Sequence, residues 1–220
     1  MSLVAVSEAA QRLGVSTRQV QHLVARGELR QVARGVLDET SVERFVAVRG
    51  GSHSRAWSEA TAWGAVAVLS GSEVAWMGES QRSRLKGRLR AVTAADLVER
   101  ARGRAVVTRY AAHSSTGERL LGELVYAVDV AGRVGLAATK VIDGYLDMSA
   151  LDGVVSRHGL IRDDEGRVTL RATGMDLAVV RDLVQRSVVL AALDLAESLD
   201  VRERRAGLDA IDLALDALGG

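Results

Sequence analysis

Hydrophobic positions near the N-terminus recur at the spacing of two short helices. Over residues 8–13, Ala10 and Leu13 share one helical face, and Ser7 precedes them where its hydroxyl can accept a free backbone N–H. A second segment repeats this spacing, with apolar positions at Val20, Leu23 and Val24. The pattern predicts two amphipathic helices joined by a short turn.

The turn between these helices carries residues that suit a sharp change of direction. Gly14 adopts a left-handed backbone conformation at little cost, Val15 fills the corner, and Ser16 caps the second helix. The small side chain of Ala10 lets the two helices cross closely. These features predict a helix-turn-helix, although two such helices can also pack together without binding nucleic acid.

A small β-wing and a third helix are predicted to follow. Segments 29–32 and 36–37 read as extended chain around a tip at 33–35. Thr40 and Glu43 have the spacing of a capping box. The helix that this box begins is predicted to bury Val42, Phe45 and Val46. Residues 1–50 are therefore predicted to form a winged helix-turn-helix DNA-binding domain.

The candidates for base contact are polar side chains on the outer face of the second helix, namely Thr17, Arg18, Gln19, Gln21, His22 and Arg26. In a helix-turn-helix this helix enters the major groove, where Arg and Gln hydrogen-bond to base edges. Arg30 and Arg34 in the wing are predicted to contact the phosphate backbone. Each of these residues, taken alone, is equally compatible with a solvated surface position.

The stretch VSEAAQRLGVSTRQVQHLVARGEL, residues 6–29, and the wing after it resemble the excisionase and MerR-type winged helix-turn-helix proteins. The resemblance covers residues 1–50. It implies binding to double-stranded DNA, commonly as a homodimer.

Residues 51–104 are predicted to be a helical connecting segment after a Gly/Ser-rich joint. One helix runs from Arg55 to about Gly71, and a third begins at the Thr93 cap. Trp57, Trp63 and Trp76 are predicted to anchor a core. The helix between them, residues 80–92, carries five basic side chains, Arg82, Arg84, Lys86, Arg88 and Arg90. These either neutralise phosphates or pair with acidic protein surfaces such as the C-terminal helices.

Residues 105–220 are predicted to form an α+β domain, which makes the whole chain α+β and mostly helical. A strand at 105–111 precedes a helix near 117–125, and a strand at 145–148 leads into a helix capped by Ser149. The remaining predicted elements are a β-hairpin of 160–162 with 167–171 and two final helices, 187–198 and 202–218.

Charge is distributed unevenly along a chain whose net charge is only +1. Residues 1–55 carry a net +3, residues 80–110 a net +7, and residues 190–220 a net −4. The absence of cysteine excludes disulfides and thiolate metal sites, and it fits a cytoplasmic protein. No apolar stretch approaches the roughly 20 residues that span a bilayer, so no membrane partner is expected.

Two C-terminal stretches resemble the C-terminal domain of AbiEi-like antitoxins of type IV toxin–antitoxin systems. They are GYLDMSALDGVVSRHGLIRDDEGRVTLRAT, residues 144–173, and VVLAALDLAESLDVRERRAGLDAI, residues 188–211. The shared positions are Gly166, Val168, Thr169, Leu170, Arg171, Asp194, Leu195, Ser198, Asp200 and Arg202. The resemblance implies a transcriptional repressor of its own operon that counters a nucleotidyltransferase toxin.

Sequence motifs of enzymes are missing. There is no Walker loop, no G-x-G-x-x-G and no H-E-x-x-H, and the four histidines lie far apart. Asp163 to Gly166 reads as a turn rather than a cation site. No catalytic residue, cofactor or metal ligand is therefore predicted, although a site assembled from distant residues stays open. The expected function is that of a DNA-binding antitoxin. The alternatives are a stand-alone transcription factor and a protein-interaction adaptor that does not bind DNA.

Overall fold

The computed structural model describes residues 3–25, 27–42, 45, 55–113, 116–125, 142–198 and 200–219. The chain divides into two compact units, residues 1–53 and 54–220, and each is considered by itself. The fold is α+β and mostly helical, which confirms the predicted fold class. Among the described helices, none combines the length and the apolar character needed to cross a bilayer.

The N-terminal unit combines two helices with a three-stranded antiparallel sheet of order β1-β3-β2. Its elements are β1 (Leu3–Ala5), α1 (Val6–Leu13), α2 (Thr17–Ala25), β2 (Gln31–Ala33) and β3 (Val36–Asp38), followed by a helical turn at 39–42. β1 was not predicted, and it extends the expected two-stranded wing. The core consists of Val4, Ala9, Ala10, Val20, Leu23, Leu29, Leu37 and Val42.

Local signals in the turn between α1 and α2 are confirmed. Gly14 has φ 63°, and its N–H contacts the carbonyls of Ala10 and Gln11. The Ser16 Oγ accepts a hydrogen bond of 3.2 Å from the backbone N–H of Gln19. The left-handed glycine ends α1, and the serine begins α2.

Two predicted caps in this unit are wrong. α1 begins at Val6, directly after β1, and the Val6 N–H donates to the Gly35 carbonyl at 3.0 Å, so Ser7 lies inside the helix and caps nothing. The third helix starts one residue before Thr40, because the Asp38 carboxylate accepts the Thr40 N–H at 3.2 Å. Glu43 and Val46 lie outside the described residues.

The C-terminal unit holds a four-stranded sheet between helical layers. Its helices are α3 (Glu59–Leu69), α4 (Glu79–Leu89), α5 (Ala94–Ala101), α6 (Gly117–Leu121), α7 (Leu151–Arg157), α8 (Leu177–Arg186), α9 (Val189–Ala196) and α10 (Val201–Gly219). Its strands are β4 (Val106–Ala111), β5 (Ile142–Asp147), β6 (Ile161–Arg162) and β7 (Val168–Thr173), and its 3₁₀ turns are Arg102–Arg104 and Met148–Ala150. α8 was not predicted.

The sheet order is β5-β7-β4-β6, with β5 parallel to β7 and β4 antiparallel to both of its neighbours. Every side chain of β7 is buried. Val168, Leu170 and Ala172 enter one core with Tyr110 and Leu146. Thr169, Arg171 and Thr173, which alternate with them, face the opposite side of the sheet.

The predicted hairpin of residues 160–162 with 167–171 is wrong, because β4 lies between the two strands. Tyr110 of β4 pairs with Arg162 on one side and with Val168 on the other. Gly166 packs so closely on β4 that an added Cβ would lie 2.2 Å from the Tyr110 carbonyl oxygen. The turn itself is present, since the Gly166 N–H donates to the Asp163 carbonyl at 2.9 Å.

The cap predicted for Ser149 belongs to a neighbouring residue. The Asp147 carboxylate accepts the Ser149 N–H at 2.7 Å and begins the 3₁₀ turn that leads into α7. The Asp147 carboxylate thus takes the role predicted for Ser149, because β5 ends at Asp147 and the turn follows at once.

The segment 51–104, predicted as a connector, shares one hydrophobic core with the C-terminal helices. Trp63 and Leu97 pack in the same cluster as Leu183, Leu190 and Ile211. Residues 54–220 therefore form one unit rather than a connector and a separate domain. Trp63 is fully buried, whereas Trp57 and Trp76 are partly buried against this core.

Candidate nucleic-acid interface

Helix α2 has one buried apolar face and one exposed polar face. Val20 and Leu23 are 0% and 2% exposed, while the predicted base-contacting residues of this helix are all exposed: Thr17, Arg18, Gln19, Gln21 and His22. In the described structure, the side chains of Arg18, Gln21 and His22 form neither an ion pair nor a hydrogen bond. The structure therefore brings five of the six predicted residues onto one open helical face; Arg26 lies outside the described residues.

The N-terminus of α2 adds backbone donors to this face. Ser16 Oγ accepts a hydrogen bond from the Gln19 N–H, and the Val20 N–H donates to the Ser16 carbonyl at 3.0 Å. The N–H groups of Thr17 and Arg18 have no intrahelical acceptor, because they lie in the first turn of α2. Such a terminus attracts phosphate oxygens through its N–H groups and its dipole.

The wing presents two further predicted residues. Arg34 and Gly35 form the exposed tip between β2 and β3, and Gly35 has φ 80°, a conformation that suits glycine at this tip. Arg30 is exposed before β2, and its backbone N–H donates to Ser41 Oγ at 3.1 Å. No carboxylate pairs with either guanidinium within the described residues. Both arginines belong to a separate element from the α2 face.

Arg12 differs from these arginines because it is fully engaged inside the unit. Its guanidinium contacts Glu8 at 2.6 Å and Glu39 at 2.7 Å, which links α1 to the helical turn at 39–42. Hydrogen bonds to Glu39 and Glu8 raise the pKa of Arg12. The two carboxylates are thereby neutralised. Among the described residues of this unit, the arginines without a carboxylate partner are Arg18, Arg30 and Arg34.

In the C-terminal unit, α4 presents the basic side chains that the sequence indicated. Leu85 and Leu89 are buried, Arg82 is half-buried, and the exposed members are Arg84, Lys86, Arg88 and Arg90. Within the described residues none of the five pairs with a carboxylate, so the acidic α10 does not neutralise them. Of the two alternatives for this helix, internal pairing with the C-terminal helices is not observed.

A buried ionic cluster, made of Arg104, Arg171, Asp143, Asp194, Glu197 and Tyr145, joins the sheet to α9. Glu197 bridges both arginines, with 2.8 Å to Arg104 Nη1 and 2.7 Å to Arg171 Nη1. Arg171 also binds Asp143 through two contacts of 2.7 and 2.9 Å. Arg104 contacts Asp194 at 2.7 Å, and the Tyr145 hydroxyl donates to Asp194 at 2.7 Å.

The cluster shifts the pKa values of its acids in opposite directions. Burial by itself raises the pKa of Glu197, but the charges of Arg104 and Arg171 outweigh it and lower that pKa to about 2. For Asp194, burial raises the pKa more than the same two arginines lower it. Burial also raises the pKa of the Tyr145 hydroxyl. All polar groups are paired, which is the arrangement of a structural core rather than of an open site.

Several positions on which the predicted resemblance to antitoxins depends have structural roles in this chain. Arg171 and Asp194 belong to the buried ionic cluster. The Asp200 carboxylate accepts the Arg202 N–H at 2.7 Å and the Glu203 N–H at 3.2 Å, which caps α10. Ser198 Oγ accepts the Asp200 N–H at 3.1 Å in the same junction.

Sequence reasoning missed most of the buried ionic cluster. Its members come from four elements that are distant along the chain. Only Arg171 had a local signal, because it alternates with two threonines in a strand whose side chains are all buried. In the described part of the chain, no three His, Asp or Glu side chains come together in a group that could hold a metal ion. Comparisons with protein families, with curated proteins and with solved structures find no match to this chain.

Proposed function

We propose that this protein is a DNA-binding transcriptional regulator in which α2 reads the major groove of double-stranded DNA. One observation carries the proposal: α2 buries Val20 and Leu23 and leaves five neighbouring polar side chains exposed, with no side-chain partner among the residues that the structure describes. α2 is a short capped helix that follows the turn of a helix-turn-helix. Its exposed polar face has the shape and chemistry of a recognition helix.

The residues divide into two roles. Arg18 and Gln19, in the first turn of α2, have side chains that hydrogen-bond to guanine and adenine edges. Gln21 and His22 extend the same face. Arg30 and Arg34 hold phosphates through the wing, and each phosphate contact releases counterions from the DNA. Binding is therefore expected to weaken steeply as salt concentration rises.

The finer part of the proposal is an antitoxin that represses its own operon and counters a nucleotidyltransferase toxin. Its support is the resemblance of residues 144–173 and 188–211 to that family. Because most of the positions that carry this resemblance are buried or take part in helix capping, they would maintain the C-terminal unit, and a toxin would contact other surfaces of it. Homodimer formation on an operator with two half-sites accords with the resemblance of residues 1–50.

The first experiment is a gel-shift titration of the full chain on its own upstream DNA, at low and moderate salt and with unrelated DNA as competitor. We expect retention that is specific and sensitive to salt. The double substitution Arg18→Ala with Gln19→Ala should remove specificity while leaving the circular dichroism spectrum unchanged. The matched control is Gln11→Ala with Arg205→Ala, two exposed residues of the same types outside α2 and the wing.

Equal binding by both double variants would remove α2 from the recognition role. No retention at any salt would overturn the DNA-binding proposal and favour a protein-interaction adaptor. The antitoxin role has a separate test, in which a neighbouring nucleotidyltransferase-like gene is expressed with and without this protein. Rescue of growth would support it, whereas DNA binding without rescue would favour a stand-alone transcription factor.

A further inference from the structure

An open cleft with a volume of about 590 Å³ lies in the C-terminal unit, between the start of α3, the exposed side of α4 and the end of α5. Its chemistry comes from three arginines, two hydroxyls and one indole: Arg55, Arg88, Arg100, Ser58, Thr61 and Trp57. The volume falls within the usual range for small-molecule sites, roughly 300–1,000 Å³. No carboxylate is among the described residues that line it.

The positive charge of this cleft is not compensated by its surroundings. Within the described residues, Arg55, Arg88 and Arg100 form no ion pair. The nearest acids along the chain are committed elsewhere. Glu59 accepts the Gly174 N–H at 2.6 Å, and Glu99 pairs with Arg102 at 3.0 Å. Three guanidinium groups without a counter-charge around one cavity favour an anion as the occupant.

Arg100 is held in place but left with an unused donor. Its guanidinium lies 5.9 Å from the centre of the Trp57 ring, and its carbonyl accepts the Trp57 N–H at 2.8 Å. The Arg100 Nε is buried and has no hydrogen-bond partner. A buried N–H without a partner has an energetic cost in the free protein.

The start of α3 adds backbone donors at the same place. Ser58 is the residue before this helix of 11 residues, yet its side chain caps no backbone N–H. Its Oγ is instead hydrogen-bonded to Thr61 Oγ1 at 2.9 Å. The first-turn N–H groups of α3 are therefore uncapped beside three arginines, and both features attract phosphate oxygens.

We infer that this cleft binds a nucleoside phosphate. The phosphate is held by Arg88, Arg55 and Arg100 at the start of α3, and Trp57, which is only partly buried, supplies the flat surface for the base. The ligand is either a free nucleotide or a nucleotide within a single strand of nucleic acid, since both offer the same groups. The inference does not rest on α2 and is separate from the proposed operator binding.

Isothermal titration calorimetry on the full chain tests this site with three probes: adenosine 5′-monophosphate, inorganic phosphate and a single-stranded DNA oligonucleotide of mixed sequence. All titrations are made in the Arg18→Ala, Gln19→Ala background, so that a contribution from α2 is removed. We expect binding of the monophosphate, of the oligonucleotide, or of both. Binding of the monophosphate identifies a free nucleotide as a sufficient ligand, and binding of the oligonucleotide alone identifies a strand.

The substitution Arg88→Ala is expected to weaken binding about tenfold, since it removes one charge-assisted contact to phosphate. Its matched control is Arg84→Ala, which removes the same charge from an exposed residue of α4 outside the cleft. Trp57→Leu should weaken the binding of adenosine 5′-monophosphate but not the binding of inorganic phosphate. Equal affinities of the Arg88 and Arg84 variants, or no heat with any probe, would overturn the inference.

Discussion

Two regions of this protein use their arginines in opposite ways. On α2 and the wing of the N-terminal unit, Arg18, Arg30 and Arg34 are exposed and have no partner within the described residues. In the buried ionic cluster of the C-terminal unit, Arg104 and Arg171 are 1% and 3% exposed and are saturated by carboxylates. A buried arginine stabilises the fold only as long as its partners remain, whereas an exposed, unpaired one is free to bind something else. The contrast separates residues that hold the protein together from residues available for function.

The largest expected effect comes from breaking the buried ionic cluster at Arg104. Arg104→Ala leaves Asp194 and Glu197 without one of their two cationic partners in a buried site, so the free energy of unfolding of the C-terminal unit should fall by about 3–5 kcal/mol. Denaturation followed by tryptophan fluorescence measures this, because Trp57, Trp63 and Trp76 all lie in that unit.

The control for Arg104→Ala is Arg181→Ala, an exposed arginine of α8. Its replacement should change the free energy of unfolding by at most about 0.5 kcal/mol. Similar losses in the two variants would mean that the cluster contributes no more than a surface charge, and the contrast between buried and exposed arginines would fail.

The second prediction concerns pH. The folded pKa of Glu197 is about 2, below its ordinary value of 4.5, so its ionised form stabilises the fold above pH 4.5 and this contribution disappears as pH falls toward 2. The upper limit of the loss is about 3 kcal/mol. Asp194 offsets part of this loss. Because burial raises its pKa, the ionised form of Asp194 destabilises the fold at neutral pH, and protonation in acid removes that cost.

The measurement is the free energy of unfolding of the C-terminal unit between pH 7 and pH 2.5, for the natural chain and for Glu197→Gln. The natural chain should lose stability across the acid range, and the variant should be less stable at pH 7 with a flatter acid profile. Parallel profiles would show that other carboxylates cause the acid sensitivity.

A smaller effect is expected where α9 and α10 cross. A Cβ added to Gly207 would lie 2.5 Å from the Ala192 carbonyl oxygen, so Gly207→Ala forces these helices apart and should cost about 1–3 kcal/mol. Gly87→Ala is the matched control, since nothing lies within 4 Å of its added Cβ. In the exposed helix α4 that change should be neutral or stabilise by up to about 1 kcal/mol. Thermal unfolding followed by tryptophan fluorescence compares the two variants. A loss of stability in both would mean that the unit tolerates no glycine-to-alanine change in these helices, whether or not the added Cβ meets a neighbour.

The smallest effect distinguishes two serines that look alike in sequence. Ser16→Ala removes the hydrogen bond to the Gln19 N–H and should destabilise α2 by about 1 kcal/mol. Ser7→Ala removes no cap, because Ser7 lies within α1, and should leave stability unchanged or slightly higher. Thermal unfolding of the N-terminal unit followed by circular dichroism measures both. If Ser7→Ala destabilised the unit as much as Ser16→Ala, the assignment of Ser7 to the interior of α1 would be contradicted.

Much of the N-terminal unit could be predicted because its signals are local. Gly14, Ser16 and the spacing of Val20 and Leu23 each act on residues within one or two turns. The cap predicted for Ser7 is wrong because a distant strand intervenes: the pairing of Ala5 with Val36 carries the chain straight into α1. The cap predicted at Thr40 is wrong because Asp38, two residues earlier, accepts the Thr40 N–H. Exposure of the α2 face followed from the same periodicity, so this candidate site needed no tertiary information.

The C-terminal unit shows the opposite balance. Its strands were recognised, but the insertion of β4 between β6 and β7 was not, because strand order depends on contacts such as Gly166 against Tyr110 that no local pattern encodes. The cleft and the buried ionic cluster were missed for the same reason. Arg55 lies in the stretch before α3, Arg88 in α4 and Arg100 in α5, and they line one cavity only after these three helices have packed.

The sequence by itself determined where most helices and strands form and which face of α2 stays polar, because propensity, capping and periodicity act over a few residues. Only the tertiary structure decided which charges became partners. Arg104 meets Asp194 and Glu197, 90 and 93 residues further along the chain. Such pairs form when packing excludes water from charged groups, and the free energy that selects them depends on the whole unit rather than on any segment.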